Sequence, residues 1–458
     1  MIVNSRFVVN LKICFMLFAA ALIFLSRQFP IQVPITDDWL YLKVGSHQIS
    51  IFDKSTFELI GGHQQVLTKI TVWITGFFPG NYIQNLVLFN IFFTLYGFYL
   101  LIVSQYKDNS EKIVPVFLAL AIMTVFNLKP IYLYMSATGL GLCQSVFFFG
   151  LYYYARNMQD SKKSKVLTSI SVFLAPFTTG MGLALPIAHI LHIVHKFVWN
   201  RKKSSSQDIY ETFIIILSFL LAYLIPIFFN NINMRTPQTG TNSFTNVFAA
   251  LENPVYFITF IITLIGNPLV PSSRFDPILP LTIGIAIVVL LIAVIRRELE
   301  FIKVIHKIME NRNPSLTGLV FVLIVATFRT QDQFFLSDSV APRYVFGTMF
   351  LLIGIQSFFV NNFNFTKDRF NYLIFVIFFA LMSLSVTGVK TGSEWLKIRS
   401  LQSEKVYMCF QMSKIYTSQC ALATIEIKEA ESTISDLNKD LFMLQNYFIK
   451  QKIFSTLR

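Results

Sequence analysis

Apolar stretches of about 15 to 22 residues recur along this chain, and hardly any contains a charged side chain. A bilayer offers no water to backbone amides, so such stretches must be helices or parts of a closed barrel. Barrel strands alternate apolar and polar residues, whereas these runs are apolar all round. The fold class is therefore all-α integral membrane: a polytopic helical bundle of about 11 transmembrane helices. Composition agrees, because 14% of the 458 residues are charged against roughly 25% in soluble domains. The 49 Phe are read as lipid-facing bulk. The net charge of +14 is read as cationic anchors at helix ends, so membrane lipids are expected as partners and nucleic acid is not.

The first span runs from Phe7 to Leu25 and continues as Ser26-Arg27-Gln28-Phe29-Pro30, without the small-residue cleavage site of a signal peptide. Further spans are expected at 83–104, 113–128, 139–155, 166–178, 181–199, 210–229, 278–295, 315–329, 343–360 and 370–389. Several are short for a bilayer of roughly 30 Å, so tilt or packing must help them. Loops on one side carry about 19 Lys and Arg, those on the other about 9. The positive-inside rule then puts the N-terminus in the cytoplasm. An odd number of spans puts the tail 390–458 outside, which leaves 1–389 as the transmembrane domain.

Residues 254–268 are apolar enough to insert, yet a full crossing there would invert every later loop. A re-entrant or interfacial helix is expected instead. In the tail, Ile434, Leu437, Leu441, Leu444 and Phe448 fall at helical spacing, which suggests a small helical appendage. Cys409 and Cys420 could form a disulfide in an oxidising compartment. Cys14 and Cys143 are read as packing residues in apolar spans.

The suggestive polar clusters lie almost all on the expected outer face. Asp37-Asp38-Trp39 follows the first helix, in the outer loop 28–82. Adjacent carboxylates can act as a general base for a hydroxyl, or hold a divalent cation that bridges phosphates. The structural alternative is an N-cap for a helix over Trp39–Val44. Gly61-Gly62-His63 then opens an amphipathic run, Val66–Phe78, that carries Lys69 and is expected to lie along the membrane surface. Two outer turns rich in small and hydroxyl residues follow, Met135 to Gln144 and Phe177 to Leu183. They suit either close helix packing or substrate lining. Arg343-Tyr344 precedes a late span, where an Arg fork could grip a diphosphate or an Arg-Tyr pair could anchor at the interface.

In this order the patches resemble a family of uncharacterised bacterial polytopic membrane proteins related to C-type (GT-C) glycosyltransferases. The resemblance is carried by Asp37-Asp38-Trp39, His63 with Lys69, Gly141 with Gln144, Thr178 through Leu183, and Arg343-Tyr344. It spans most of the chain, and only the ordered series is specific. The chain departs from the pattern at Gly62 and Gln64, which stand where the family has Glu and Arg. Leu142-Cys143 separates Gly141 from Gln144, and Pro342 replaces a Ser. The resemblance implies a transferase on the outer face of a bacterial inner membrane, with a polyprenyl-phosphate-linked sugar as donor and a surface glycan or lipid as acceptor. Asp37 and Asp38 would be catalytic, with or without a divalent cation such as Mg or Mn. Trp39, His63, Lys69, Gln144, Arg343 and Tyr344 would contact substrate.

A transporter or flippase of a lipid-linked or small substrate is the main rival, and a surface-polysaccharide polymerase or ligase is a third reading. Transporters usually place ionisable groups near the midplane. The sequence shows few such groups within its spans, which favours surface chemistry.

Overall fold

The structure is a computed structural model. It describes residues 5–30, 65–79, 82–106, 137–158, 161–200, 206–230, 253–270, 277–298, 313–329 and 342–362, with single positions and short stretches within 41–56, 121–126, 306–309 and 390–404. Every regular element among them is a helix. The α-helices are α1 (Ser5–Gln28), α2 (Val66–Thr75), α3 (Tyr82–Tyr106), α4 (Ala137–Arg156), α5 (Lys162–Leu174), α6 (Ala184–Asn200), α7 (Ser206–Asn230), α8 (Pro254–Gly266), α9 (Ile278–Glu298), α10 (Ser315–Arg329) and α11 (Val345–Asn362).

Three stretches, Val9–Gln28, Gln84–Tyr106 and Gly180–Val198, are long and apolar enough to cross a membrane, and several shorter helices are also apolar. Side-chain distribution supports that class. Ile13, Met16 and Leu17 on α1, Phe213 and Ile216 on α7, and Ile285 and Val289 on α9 all face outward. Buried positions meanwhile include Asn90, Thr94, Gln105, Thr317 and Ser357. A soluble monomer rarely exposes so much contiguous apolar surface, and a bilayer is the solvent that suits it. The molecule is an all-helical protein of the membrane class. The spans expected at 113–128 and 370–389 fall wholly or largely outside the described residues.

Local chemistry sets several helix starts. Ser161 caps α5, its hydroxyl accepting from the Ser164 amide at 3.1 Å. Asn253 caps α8 the same way from the Tyr256 amide, and Pro254 at the first helical position has no amide to satisfy. The Asn313 carboxamide accepts from the Ser315 amide at 2.8 Å and donates to the Gly354 carbonyl at 3.1 Å, joining α10 to α11.

Helix directions follow from residue pairs. Phe93 packs on Phe147 and Gly97 on Gly150, so α3 and α4 run parallel. Phe98 and Phe149 both meet Phe350, and Gln105 accepts from the Ser357 hydroxyl at 2.8 Å, so α11 runs the same way. Its partner α10 is antiparallel, with Gly318 against Leu351 and Ser315 against Gly354. The crossing of α3 and α4 is set by glycine. A Cβ on Gly150 would lie 2.0 Å from the Gly97 carbonyl oxygen, so only two bare backbones reach this spacing.

Residues 254–266 form a helix of about 20 Å, shorter than the roughly 30 Å hydrocarbon layer. Helix α8 packs antiparallel on α9, with Gly266 against Pro280 and Gly284 against Ile262. Its Phe260 and Leu264 join the main core, while Val255 and Ile258 face outward. At the start of the tail, Leu396 is in the core and the Ser400 hydroxyl donates to the Pro30 carbonyl at 2.9 Å. Cys143 is buried, as expected of a packing residue, but Cys14 is exposed on the outward side of α1. Cys409, Cys420 and residues 434–448 lie outside the described residues.

Candidate functional site

These directions give the bundle two ends. The first gathers α2, the start of α4, the turn at residues 175–183 and the start of α11. The second gathers the end of α4, the middle and end of α6, and the starts of α5, α7 and α10.

At the first end, α2 is amphipathic. Val66, Thr68, Lys69, Val72 and Thr75 recur at helical spacing and form its buried face. Hydrogen bonds dock that face. The Thr68 hydroxyl lies 3.3 Å from Gln144 Oε1 and 3.0 Å from the Thr178 carbonyl oxygen. Gln144 Nε2 donates to Thr71 Oγ1 at 2.7 Å and to the Leu67 carbonyl at 3.4 Å. Beneath them, the Ser145 and Thr178 hydroxyls share a hydrogen bond of 2.6 Å. Gly141 makes the junction possible, because a Cβ there would sit 2.3 Å from Thr179 Cγ2 and 2.7 Å from both Thr68 Oγ1 and the Thr178 oxygen. Thr179 caps the short turn Gly180–Leu183 by accepting from the Met181 amide, and that turn feeds α6.

Of the residues expected to contact substrate, the structure describes Lys69, Gln144, Arg343 and Tyr344, and it brings all four to this end. Lys69 is 3% exposed, on the docked face of α2. Gln144 spends both ends of its carboxamide on α2, so it positions that helix. Arg343 lies over the Tyr344 ring at 5.1 Å, and Tyr344 packs on Phe321. Asp37, Asp38, Trp39 and His63 lie outside the described residues. Their chain neighbours are described: buried Tyr41, three positions after Asp38, donates from its hydroxyl to Gln65 Oε1, two positions after His63. Beyond them, His47 adopts a left-handed conformation with φ 57° and stacks on Phe77 at 4.1 Å, beside Trp73. Among the described residues, no group of three or more His, Cys, Asp or Glu is placed to hold a metal ion. The Asp37-Asp38 pair proposed for a cation lies outside them.

The second end holds a cluster that the sequence reading does not single out. Ionisable groups do lie buried within the expected spans, and they lie away from the motif turns. Arg156, counted in the sequence as a loop cation, is the last residue of α4 and turns inward. Its Nη2 lies 2.5 Å from Glu211 Oε2 on α7. His189 Nε2 on α6 lies 3.0 Å from the same oxygen, and Tyr152 Oη lies 2.6 Å from His189 Nδ1. Further along α6, His192 Nδ1 is 2.8 Å from the Met309 carbonyl oxygen, and His195 Nε2 is 3.1 Å from His306 Nδ1. The legible signal was three histidines at successive three-residue steps, 189, 192 and 195, on an apolar helix, with one Glu at the start of the next.

Together the two ends describe a membrane-class helical bundle with one junction docked by hydroxyl and amide bonds and one buried ionic cluster. No known protein family, no curated protein and no solved structure matches the chain.

Proposed function

We propose that this chain is a membrane glycosyltransferase. It moves a sugar from a polyprenyl-phosphate donor to a cell-surface glycan or lipid acceptor, on the outer face of a bacterial inner membrane. The bundle crosses about eleven times, with the N-terminus in the cytoplasm and the tail outside. One observation carries the reading. Four candidate residues separated by up to 275 positions, Lys69 to Tyr344, belong to the same end of the bundle, and the Tyr41–Gln65 bond ties the two motif-bearing parts of the first loop to each other. In this reading Asp37 or Asp38 activates the acceptor hydroxyl, alone or with a divalent cation. Lys69, His63 and Arg343 hold the lipid phosphate and offset the charge that builds as it leaves. Trp39 and Tyr344 line the donor site, and Gln144 sets α2 in place.

The test compares surface glycans and lipid-linked sugars in the host with and without the gene. Loss of one glycan, with its lipid-linked donor accumulating, is the expected outcome. An unchanged glycan profile with an unrelated solute accumulating overturns the proposal. A periplasm-only reporter fused after Arg458 is expected to be active, and silence inverts the topology.

A second reading, a transporter or flippase, is favoured by one specific observation, the ionic cluster of Arg156, His189 and Glu211. Ionisable groups inside a membrane bundle commonly mark substrate or proton pathways. In that case the solute, rather than the glycan, changes in the same comparison.

A further inference from the structure

The cluster at the second end has a feature that neither packing nor sugar transfer requires. Glu211 and His189 are 4% and 1% exposed, and Tyr152 is 1% exposed. They are drawn from three helices and lie among apolar side chains. An ionised carboxylate only accepts hydrogen bonds, so His189 must carry its proton on Nε2 to bond Glu211 Oε2. Its Nδ1 is then a bare acceptor, and the Tyr152 hydroxyl donates to it. Arg156 balances the carboxylate and lies 3.3 and 3.4 Å from the two ring nitrogens, which suits a neutral imidazole. In this state the bonds of His189 to Glu211 and to Tyr152 each pair a donor with an acceptor, and the net charge of the four groups is zero.

One change keeps Glu211 and Tyr152 as partners and sets the ring against the Arg156 guanidinium. If a proton arrives at His189 Nδ1, the Tyr152 hydroxyl rotates from donor to acceptor. The imidazolium keeps its Nε2–H bond to Glu211, and the cluster moves from zero to +1. The donor is hydronium, whose O–H bond breaks as the Nδ1–H bond forms, leaving water. At 1% exposure His189 is closed to bulk solvent.

The geometry points to a proton-binding site at His189, paired to Glu211 and bounded by Tyr152 and Arg156, in the packed junction of α4, α6 and α7. The neighbouring groups fit this role. Within α6 itself, His192 has its ring 6.3 Å from that of His189, and His195 and Lys196 lie further along. His306 pairs with His195. At the same level α5 brings Ser164, on the Ala155 carbonyl, and α10 brings Thr317, on the Tyr153 hydroxyl, and both are uncharged. The imidazoles of α6 thus continue from the buried site toward the end of the helix that carries Lys196. Adding one charge in an apolar junction favours a looser arrangement of the three helices, which makes their packing responsive to protonation.

The inference stands apart from the transfer reading, and its test does not measure transfer. The full chain is placed in lipid nanodiscs with ¹⁵N-labelled histidine, and ring protonation is read by magnetic resonance from about pH 7.5 to about pH 4.5. His189 is recognised by its contact with a tyrosine hydroxyl. The expected result is a single proton on Nε2 at the upper pH, and a second on Nδ1 as the pH falls. Glu211→Gln removes the charge paired with the ring, so the pH at which the second proton appears should move by about one unit or more. A ring that stays singly protonated throughout in the folded wild-type protein overturns the site, and this arm needs no variant. So does a Glu211→Gln titration identical to that of the wild type.

Discussion

The two ends of the bundle are held by different chemistry. At the first, hydroxyl and amide bonds among Thr68, Thr71, Gln144 and Thr178 dock α2, whose buried face also carries Lys69, and Gly141 allows the approach. At the second, α4, α6 and α7 are joined by a carboxylate, a guanidinium and an imidazole. About 18 Å of α4 separates Gln144 from Arg156. Hydroxyl and amide contacts can be lost one at a time, so such a junction can hold a helix and still let it adjust. A buried ion pair loses far more when one partner goes, because the other charge is left in an apolar interior. In the proposed reading the first end receives the substrate, and the second is a joint sensitive to charge.

The contrast is broken most severely at Glu211. Glu211→Ala should destabilise the protein by about 3 to 5 kcal/mol, seen as a lower unfolding temperature in detergent. Replacing Arg156 and Glu211 together by Met and Leu should recover most of that loss. If the single and double variants are equally unstable, the pair is not coupled. Next in size, Gly150→Val forces a side chain against the Gly97 carbonyl and should cost about 1 to 3 kcal/mol, weakening both ends alike. Gln144→Leu acts at the first end alone. It strips partners from Thr68 and Thr71, costs about 1 to 3 kcal/mol and should loosen α2. A cysteine at position 69 should then react with a polar thiol reagent about tenfold faster than in the Gln144 background, since each 1.4 kcal/mol of opening is a factor of ten. Unchanged reactivity means that other contacts hold α2. The smallest effect is expected from Ser161→Ala, which removes the α5 cap for about 1 kcal/mol and leaves both ends in place.

Much of this was legible in the sequence because lipid solvent restricts what an apolar run can become. The long runs 7–25 and 83–104 are helices close to the expected limits, as α1 and α3. The amphipathic run read over Val66–Phe78, with Lys69, is α2 over Val66–Thr75. Packing set what spacing could not. Either reading of Gly141, Gln144 and Thr178 was open until the side chains were seen to bond α2, because small and hydroxyl residues serve close packing and lining equally well. The ionic cluster was missed for a different reason. By sequence position Arg156 belongs with the loop cations that set orientation, whereas a long side chain at a helix end can turn back into the bundle. Glu211 and His189 each look isolated along the chain, 22 positions apart, and they meet because α6 and α7 pack at that level. The apolar run at 254–268 is helix α8 over Pro254–Gly266, continued by one 3-10 turn over Asn267–Leu269.

The most direct test of the proposed transfer site uses membranes holding the full chain, a polyprenyl-phosphate sugar donor and the host's acceptor lipid or glycan. Asp38→Asn removes the proposed base and should lower the transfer rate about a hundredfold or more. Lys69→Met should lower it by a similar factor if Lys69 meets the leaving phosphate, while Glu211→Gln, in the folded fraction, should leave transfer measurable. Sugar transfer at the wild-type rate with Asp38→Asn and Lys69→Met in place would contradict the account.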